Sequence, residues 1–240
     1  MKLKNLRWIA SHTNWIRILF SLCLVAISSQ AFALEQNEKG WFGLNLQQTL
    51  SADKKIVGLI FTQLRTINHS HPWQASLIEG ALGYHLRDNS SIWFGYRWTA
   101  VNPNNGFFQE NRLFQQYLVV AEPDPSYQYV LRTRLEEIER TNENQILVRG
   151  RERIALEIRK SFITSYINPF FFDEVFLHLT KTDYSSNKFF SQNRLFLGVN
   201  MYTGEHRWWE IGYLNQFQMR SPSQTQNQMS HIISITYNCV

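Results

Sequence analysis

The chain has 240 residues, of which 44% are hydrophobic, 15% aromatic and only 18% charged, and its formal net charge is +5. Four basic residues and no acidic residue lie in the first 33 positions, so residues 34–240 carry 20 basic and 19 acidic side chains. A nearly neutral remainder excludes the broad basic surface that a nucleic-acid-binding protein presents.

The first element in the chain has the features of a secretory signal peptide. Basic residues at positions 2, 4, 7 and 17 precede or border the apolar run 18–27, and Ala31-Phe32-Ala33 places small residues where signal peptidase reads them. This run is too short for a transmembrane helix, although an uncleaved N-terminal anchor is the alternative. We expect a signal peptide over residues 1–33 and one domain over residues 34–240. Cys239 would then be the one remaining cysteine, which excludes an internal disulfide and a cysteine metal cluster.

The rest of the chain contains eleven runs in which polar and apolar residues alternate with a period of two. Polar turn segments separate these runs. All six prolines fall in the connections or at a strand start, as expected because proline cannot donate a hydrogen bond to a strand ladder. The pattern predicts an all-β antiparallel meander with strands at 41–50, 56–66, 75–86, 91–100, 109–121, 127–140, 145–162, 170–179, 192–202, 207–219 and 229–238.

Residues 145–160, QILVRGRERIALEIRK, show what the two faces of a strand carry. Even-numbered positions from 146 to 158 are mostly apolar, whereas the odd-numbered positions include Arg149, Arg151 and Arg153. An arginine that faces lipid near the bilayer midplane costs about 2–4 kcal/mol, so a membrane strand must turn this basic face inward. The assignment predicts that arginine in place of Leu156 impairs assembly, whereas arginine in place of Ala155 is tolerated better.

Strand length and aromatic placement favour a transmembrane β-barrel. Most of the runs exceed the usual strand length of about five or six residues and suit a tilted bilayer crossing, which needs about nine to eleven. Aromatic pairs and triplets stand near strand ends at 41–42, 107–108, 170–172, 189–190 and 208–209. Such rings are typical of the two membrane–water interfaces. A secreted, soluble, lipocalin-like binding barrel is the alternative, because it has the same period.

The inward positions of the predicted strands gather arginines and glutamates in the lumen. These residues are Arg65, Arg97, Arg112, Arg132, Arg134, Arg149, Arg151, Arg153, Arg159, Arg194, Glu79, Glu110, Glu136, Glu157, Glu174 and Glu210. They predict either an interlocked ionic core or a narrow, porin-like pore that attracts small anionic solutes. Because arginine grips carboxylates through two parallel hydrogen bonds, we expect the packed core.

Seven segments carry a family resemblance: ALGYHLRDNSSIWFGYRWT (81–99), QENRLFQQYL (109–118), LRTRLEEIER (131–140), DEVFLHL (173–179), QNRLFLGVNMY (192–202), EIGYLNQF (210–217) and SHIISITYN (230–238). Together they resemble the Gram-negative outer-membrane barrels catalogued as domain of unknown function 2490. The resemblance implies a barrel in the cell outer membrane and no particular activity. The expected partners are therefore outer-membrane lipid, lipopolysaccharide and the barrel-assembly machinery. This chain departs from such barrels at its end, where Cys239 and Val240 replace the usual terminal aromatic residue.

We predict twelve strands, within a range of ten to twelve. The chain shows eleven runs, but single-chain bacterial barrels have even strand numbers. The short turns RDNS, EPDPS and TGE fall on one rim and the longer INHSHPW, TDYSSNK and RSPSQTQNQ on the other. With eleven strands, the first strand would begin at the rim opposite the C-terminus.

A lipid-modifying outer-membrane enzyme is the alternative from another functional class, because a serine activated by a histidine can hydrolyse lipids. The candidates are His69-Ser70-His71 and Ser230-His231. Consecutive residues of a strand face opposite sides, so the second pair cannot act together. His69 and His71 supply only two ligands, which are too few for a metal site. We therefore expect no catalytic residue, no metal, no cofactor and no nucleic-acid partner.

Overall fold

The computed structural model describes residues 34–67, 73–102, 106–159, 166–220 and 226–240. The predicted signal peptide and the segment His69-Ser70-His71 lie outside these ranges. The described residues form eleven strands: β1 (Leu34–Thr49), β2 (Ile56–Ile67), β3 (Trp73–Arg87), β4 (Ser90–Val101), β5 (Phe108–Asp124), β6 (Tyr127–Arg140), β7 (Ile146–Ile158), β8 (Ile167–His178), β9 (Phe190–Gly204), β10 (Arg207–Gln218) and β11 (Asn227–Cys239). Within the same ranges there is no helix with the length and apolar character needed to cross a membrane.

The strands close into a barrel. Each strand pairs antiparallel with the next along the chain, and β1 also lies beside β11. The predicted all-β antiparallel meander, closed as a barrel, is confirmed. The prediction of twelve strands is not confirmed, because the described residues contain eleven. With this odd number β11 runs in the same direction as β1, so the pair that closes the barrel is parallel.

Side chains connect β1 with β11 across this parallel seam. Asn45 Nδ2 donates a hydrogen bond to Asn238 Oδ1 at 3.0 Å. A Cβ atom added to Gly43 would meet Thr236 Oγ1 at 2.8 Å. The partner numbers rise together along both strands, as a parallel register requires. An even-stranded meander would instead close through an antiparallel pair, so the parallel seam follows directly from the odd strand count.

The seam also explains why β1 begins earlier than predicted. Residues 34–40, LEQNEKG, show no apolar alternation, and the pairing of β1 with β2 begins at Lys39. The first residues of β1 therefore depend on β11 for their strand partners. The predicted bounds of β6 are confirmed, and the other predicted strands differ from the observed ones by at most a few residues at one or both ends.

We expect a disulfide to form across the seam between cysteines placed at Asn45 and Asn238, with Cys239 replaced by serine. Neighbouring inward side chains on paired strands lie within disulfide reach. Non-reducing gel mobility after mild oxidation measures the link. Cysteines at Asn45 and Ser234 should stay unlinked, because Ser234 lies further back along β11 than Asn238 does. A linked control pair, or a 45–238 pair that never links, would argue against the parallel closure.

Burial alternates along the strands. In β7, Leu147, Arg151 and Ala155 are buried, whereas Ile146 and Ile154 are exposed. The same alternation occurs in β8 and β11. The two faces of residues 146–158 are therefore oriented as the alternation predicted, with the basic face inside the barrel.

The connections divide between two rims. Odd-numbered strands end at the rim that holds the two-residue connections 88–89, 125–126 and 205–206, which we call the short-turn rim. They begin at the opposite rim, which holds the connections 179–189 and 219–226 and which we call the long-loop rim. The C-terminus lies at the short-turn rim, and β1 begins at the long-loop rim.

Candidate functional site

Three glutamates inside the barrel hold most of the arginine ion pairs. They are Glu79 on β3, Glu136 on β6 and Glu174 on β8, and their side chains are 4%, 1% and 3% exposed. Each carboxylate lies within ion-pair distance of at least two arginines. This pairing compensates the cost of burying the charges.

The Glu79–Arg134 pair crosses the lumen, because β3 and β6 are not neighbours in the sheet. Arg134 Nη1 and Nη2 donate to Glu79 Oε2 and Oε1, both at 3.1 Å. This is the bidentate geometry in which guanidinium and carboxylate interact most strongly. Arg97 Nε donates to the same carboxylate at 2.7 Å. The Arg134 guanidinium also lies 3.9 Å above the centre of the Phe114 ring.

Glu136 has the most arginine neighbours of the three. Arg149 Nη2 lies 2.5 Å from its Oε2, and Arg151 Nη1 lies 2.6 Å from its Oε1. Arg112 and Arg134 lie at 3.9 and 3.8 Å. Four guanidinium groups therefore surround one buried carboxylate.

Glu174 extends the ion pairs around Glu79 and Glu136, which we call the ionic network, to β8 and β9. Its carboxylate pairs with Arg132, with Arg151 Nη2 at 2.8 Å and with Arg194 Nη1 at 3.5 Å. Because Arg151 bonds to both Glu136 and Glu174, the ion pairs run without a break from β3 to β9.

An apolar cluster occupies the lumen beside the ionic network. The rings of Phe172 and Phe196 stack with their centres 5.0 Å apart. Phe196 is fully buried over Gly198 and Gly212, where added Cβ atoms would meet its ring at 2.7 and 2.5 Å. The Arg153 guanidinium lies 3.7 Å from the centre of the Phe172 ring, so the cluster and the network interdigitate. The cluster consists of Trp41, Ala155, Phe170, Phe172, Phe196, Leu214 and Ile232.

The sequence interpretation missed this cluster. It assigned the aromatic residues near positions 41 and 170–172 to the membrane interfaces, whereas Trp41, Phe170 and Phe172 are buried inside. The signal was available, because Phe170 and Phe172 share the parity of Glu174. Ala155, which is 3% exposed, also belongs to the cluster. From this packing we expect arginine at position 155 to impair assembly as well, since that side chain would overpack the lumen.

Two of the predicted network residues lie near the short-turn rim. Arg159 pairs with Glu122 at 3.0 Å, and the two side chains are 36% and 45% exposed. Glu157 instead accepts hydrogen bonds from Asn168 and Tyr202, both at 2.7 Å. Neither residue belongs to the continuous network.

Two further predicted residues, Arg153 and Glu210, form no ion pair with any described residue. Glu110, near the long-loop rim, does form ion pairs. It binds Arg112 and Arg140, the latter at 3.0 Å. The sequence interpretation omitted Arg140, although it shares the inward parity of its strand. Arg112 links Glu110 to the main network through its contact with Glu136.

The candidates for catalysis are separated. Ser230 is fully buried in the lumen, whereas His231 lies on the outer wall, where its Nδ1 is 2.5 Å from Tyr213 Oη. His178 Nδ1 lies 3.0 Å from the backbone carbonyl oxygen of Ser186. Among the described residues, no group of three or more potential metal ligands is present.

Fold and lumen together define a closed β-barrel with a buried arginine–glutamate network. A family model described as "Protein of unknown function (DUF2490)" matches residues 38–227. The chain belongs to this family. It is also similar to an uncharacterised protein of Methylorubrum extorquens, with 24% identity over 222 residues that cover 91% of this chain and 94% of that protein. No solved structure matches the chain.

Proposed function

We propose that this protein is an outer-membrane β-barrel whose filled lumen makes it a stable, non-conducting element of the membrane rather than an open porin. Its outer wall contacts lipid and lipopolysaccharide, and the barrel-assembly machinery inserts it. The proposal assigns it no catalytic reaction.

The observation that carries this proposal is the reversed polarity of the barrel. On the outer wall, Ile60, Leu82 and Phe94 are 58%, 60% and 59% exposed, whereas Glu136 and Arg151 inside are 1% and 4% exposed. A soluble barrel gains stability by burying apolar residues and by keeping charged residues hydrated. Lipid is the solvent in which the observed arrangement is favourable.

Aromatic side chains at both rims support the membrane assignment. Phe107 and Phe189 at the long-loop rim are 54% and 62% exposed. At the short-turn rim, Tyr127, Tyr166 and Trp209 are 43%, 68% and 37% exposed. Aromatic girdles of this kind flank the apolar band of outer-membrane barrels.

The filled lumen supports the proposal that no open path for ions crosses the barrel. About eight strands leave room for side chains alone, whereas about sixteen leave an aqueous channel. The barrel has eleven strands, the Glu79–Arg134 pair joins strands that are not neighbours, and the apolar cluster extends from β1 to β7 on the opposite wall. The alternative function, a narrow anion-preferring pore, requires these contacts to open.

Three measurements test the proposal. The protein should sediment with outer membranes after alkaline extraction, and it should migrate faster on gels when unheated, as folded barrels do. The purified protein in planar bilayers should show no resolved conductance steps. Recovery as a soluble protein would refute the membrane location, and stable open-channel currents would refute the closed lumen.

A further inference from the structure

A cavity of about 510 Å³ occupies the long-loop half of the lumen. Its wall includes Trp41 at the middle of β1, Arg65 near the end of β2, residues 183–186 and the end of β10. Its size falls within the range of sites for small organic ligands. We call it the vestibule.

The vestibule is strongly basic. Nine of the described residues that line it are lysine or arginine, against two acidic residues, Glu110 and Asp183. The main carboxylates of the ionic network, Glu79, Glu136 and Glu174, are not among the described lining residues. Five arginines of this lining are ion-paired with glutamates of the network, namely Arg97, Arg112, Arg140, Arg149 and Arg151. Arg65 and Arg194 are less well compensated and therefore present more of their positive charge to whatever enters.

Two of these arginines share one aromatic ring. The guanidinium carbons of Arg65 and Arg194 lie 4.2 and 4.9 Å from the centre of the Trp41 ring. The two guanidinium carbons are therefore no more than about 9 Å apart, and like charges at such a separation repel each other in a poorly hydrated space. A bound anion between them would convert this repulsion into attraction.

Their other partners compensate little of this charge. Arg65 Nε donates to the neutral Gln63 Oε1 at 2.8 Å, and no described carboxylate lies within ion-pair distance of Arg65. Arg194 Nε donates to Gln216 Oε1 at 3.0 Å, and its contact with a carboxylate is long, at 3.5 Å. Trp41 is 5% exposed, and its Nε1 has no acceptor among the described residues.

We propose that the vestibule binds a phosphate group, either inorganic phosphate or a soluble phosphate monoester, between Arg65 and Arg194, with the indole N–H of Trp41 as a third donor. A doubly charged oxyanion fits because each guanidinium can bind its oxygens through two hydrogen bonds. The inference deepens the proposed function, because it gives the closed barrel a ligand.

Titration calorimetry on the full-length protein, purified in detergent, tests the site with inorganic phosphate at constant ionic strength. Arg65→Gln and Arg194→Gln should each weaken binding by about tenfold or more, the effect of removing one charged hydrogen-bond donor. Arg159→Gln removes the same charge from the short-turn rim and should leave affinity within about twofold.

Heat-modifiable gel mobility of each sample shows whether the barrel is folded. A folded wild-type barrel that binds no phosphate would overturn the site and leave the proposed function standing. Equal losses in all three variants would mean unspecific attraction to charge, which also overturns it. A soluble sugar phosphate should compete with inorganic phosphate. Competition by vesicles that carry anionic phospholipid, without competition by the sugar phosphate, would place the binding on the outer wall and refute the vestibule.

Discussion

Replacement of Glu136 by glutamine should lower the free energy of unfolding by about 3–5 kcal/mol, the cost of breaking a buried ion pair from one side. The Glu136 side chain is 1% exposed, and four guanidinium groups lie within 4 Å of it. Without the carboxylate these groups repel each other in a confined space where little water can hydrate them. The midpoint of urea unfolding, followed by gel mobility or tryptophan fluorescence, measures the loss.

Glu137→Gln is the matched control. Glu137 is the next residue on β6, but it is exposed and faces outward, so its replacement should change stability by no more than about 0.5 kcal/mol. Neither variant should conduct ions. A Glu136→Gln barrel that is as stable as the wild type and carries an anion-selective current would mean that the lumen is hydrated and open, contrary to the packed network.

Arginine in place of Leu197 should strongly reduce the fraction of protein that assembles in the membrane. Leu197 lies at the middle of β9 on the outer wall and is 46% exposed. An arginine that faces lipid near the midplane costs about 2–4 kcal/mol. The ratio of heat-modifiable to unfolded protein in the membrane fraction measures assembly.

The control for this variant is Leu86→Arg. Leu86 is also on the outer wall and is 51% exposed, but it lies next to the short-turn rim. At the membrane interface the same substitution costs about 0–1 kcal/mol, so Leu86→Arg should assemble nearly as the wild type does. In a soluble barrel both sites would face water. Equal assembly of the two variants would therefore favour the secreted lipocalin-like alternative.

Strand positions and their faces could be predicted because side-chain alternation is a local property of the chain. Each residue of β7, for example, points opposite to its neighbours whatever lies across the barrel. The positions of Arg149 and Arg151 inside, and of Ile146 and Ile154 outside, follow from this period alone. The eleven strands could be recognised in the sequence for the same reason. The prediction of twelve departed from this local observation because it followed the rule that single-chain bacterial barrels have even strand numbers.

Tertiary structure decided how the barrel closes and what fills it. Residues 34–40 are strand because β11 lies beside them, and no local pattern in LEQNEKG indicates that partner. Glu79 and Arg134 are 55 residues apart in the chain and meet only because the sheet curls and brings the inner faces of β3 and β6 together. Parity shows that Trp41 and Arg65 face inward, but not that the ring carries two guanidinium groups. Alternation along a strand thus assigned the inner and outer faces, whereas pairing across the lumen depends on strand number and tilt, which are properties of the closed sheet.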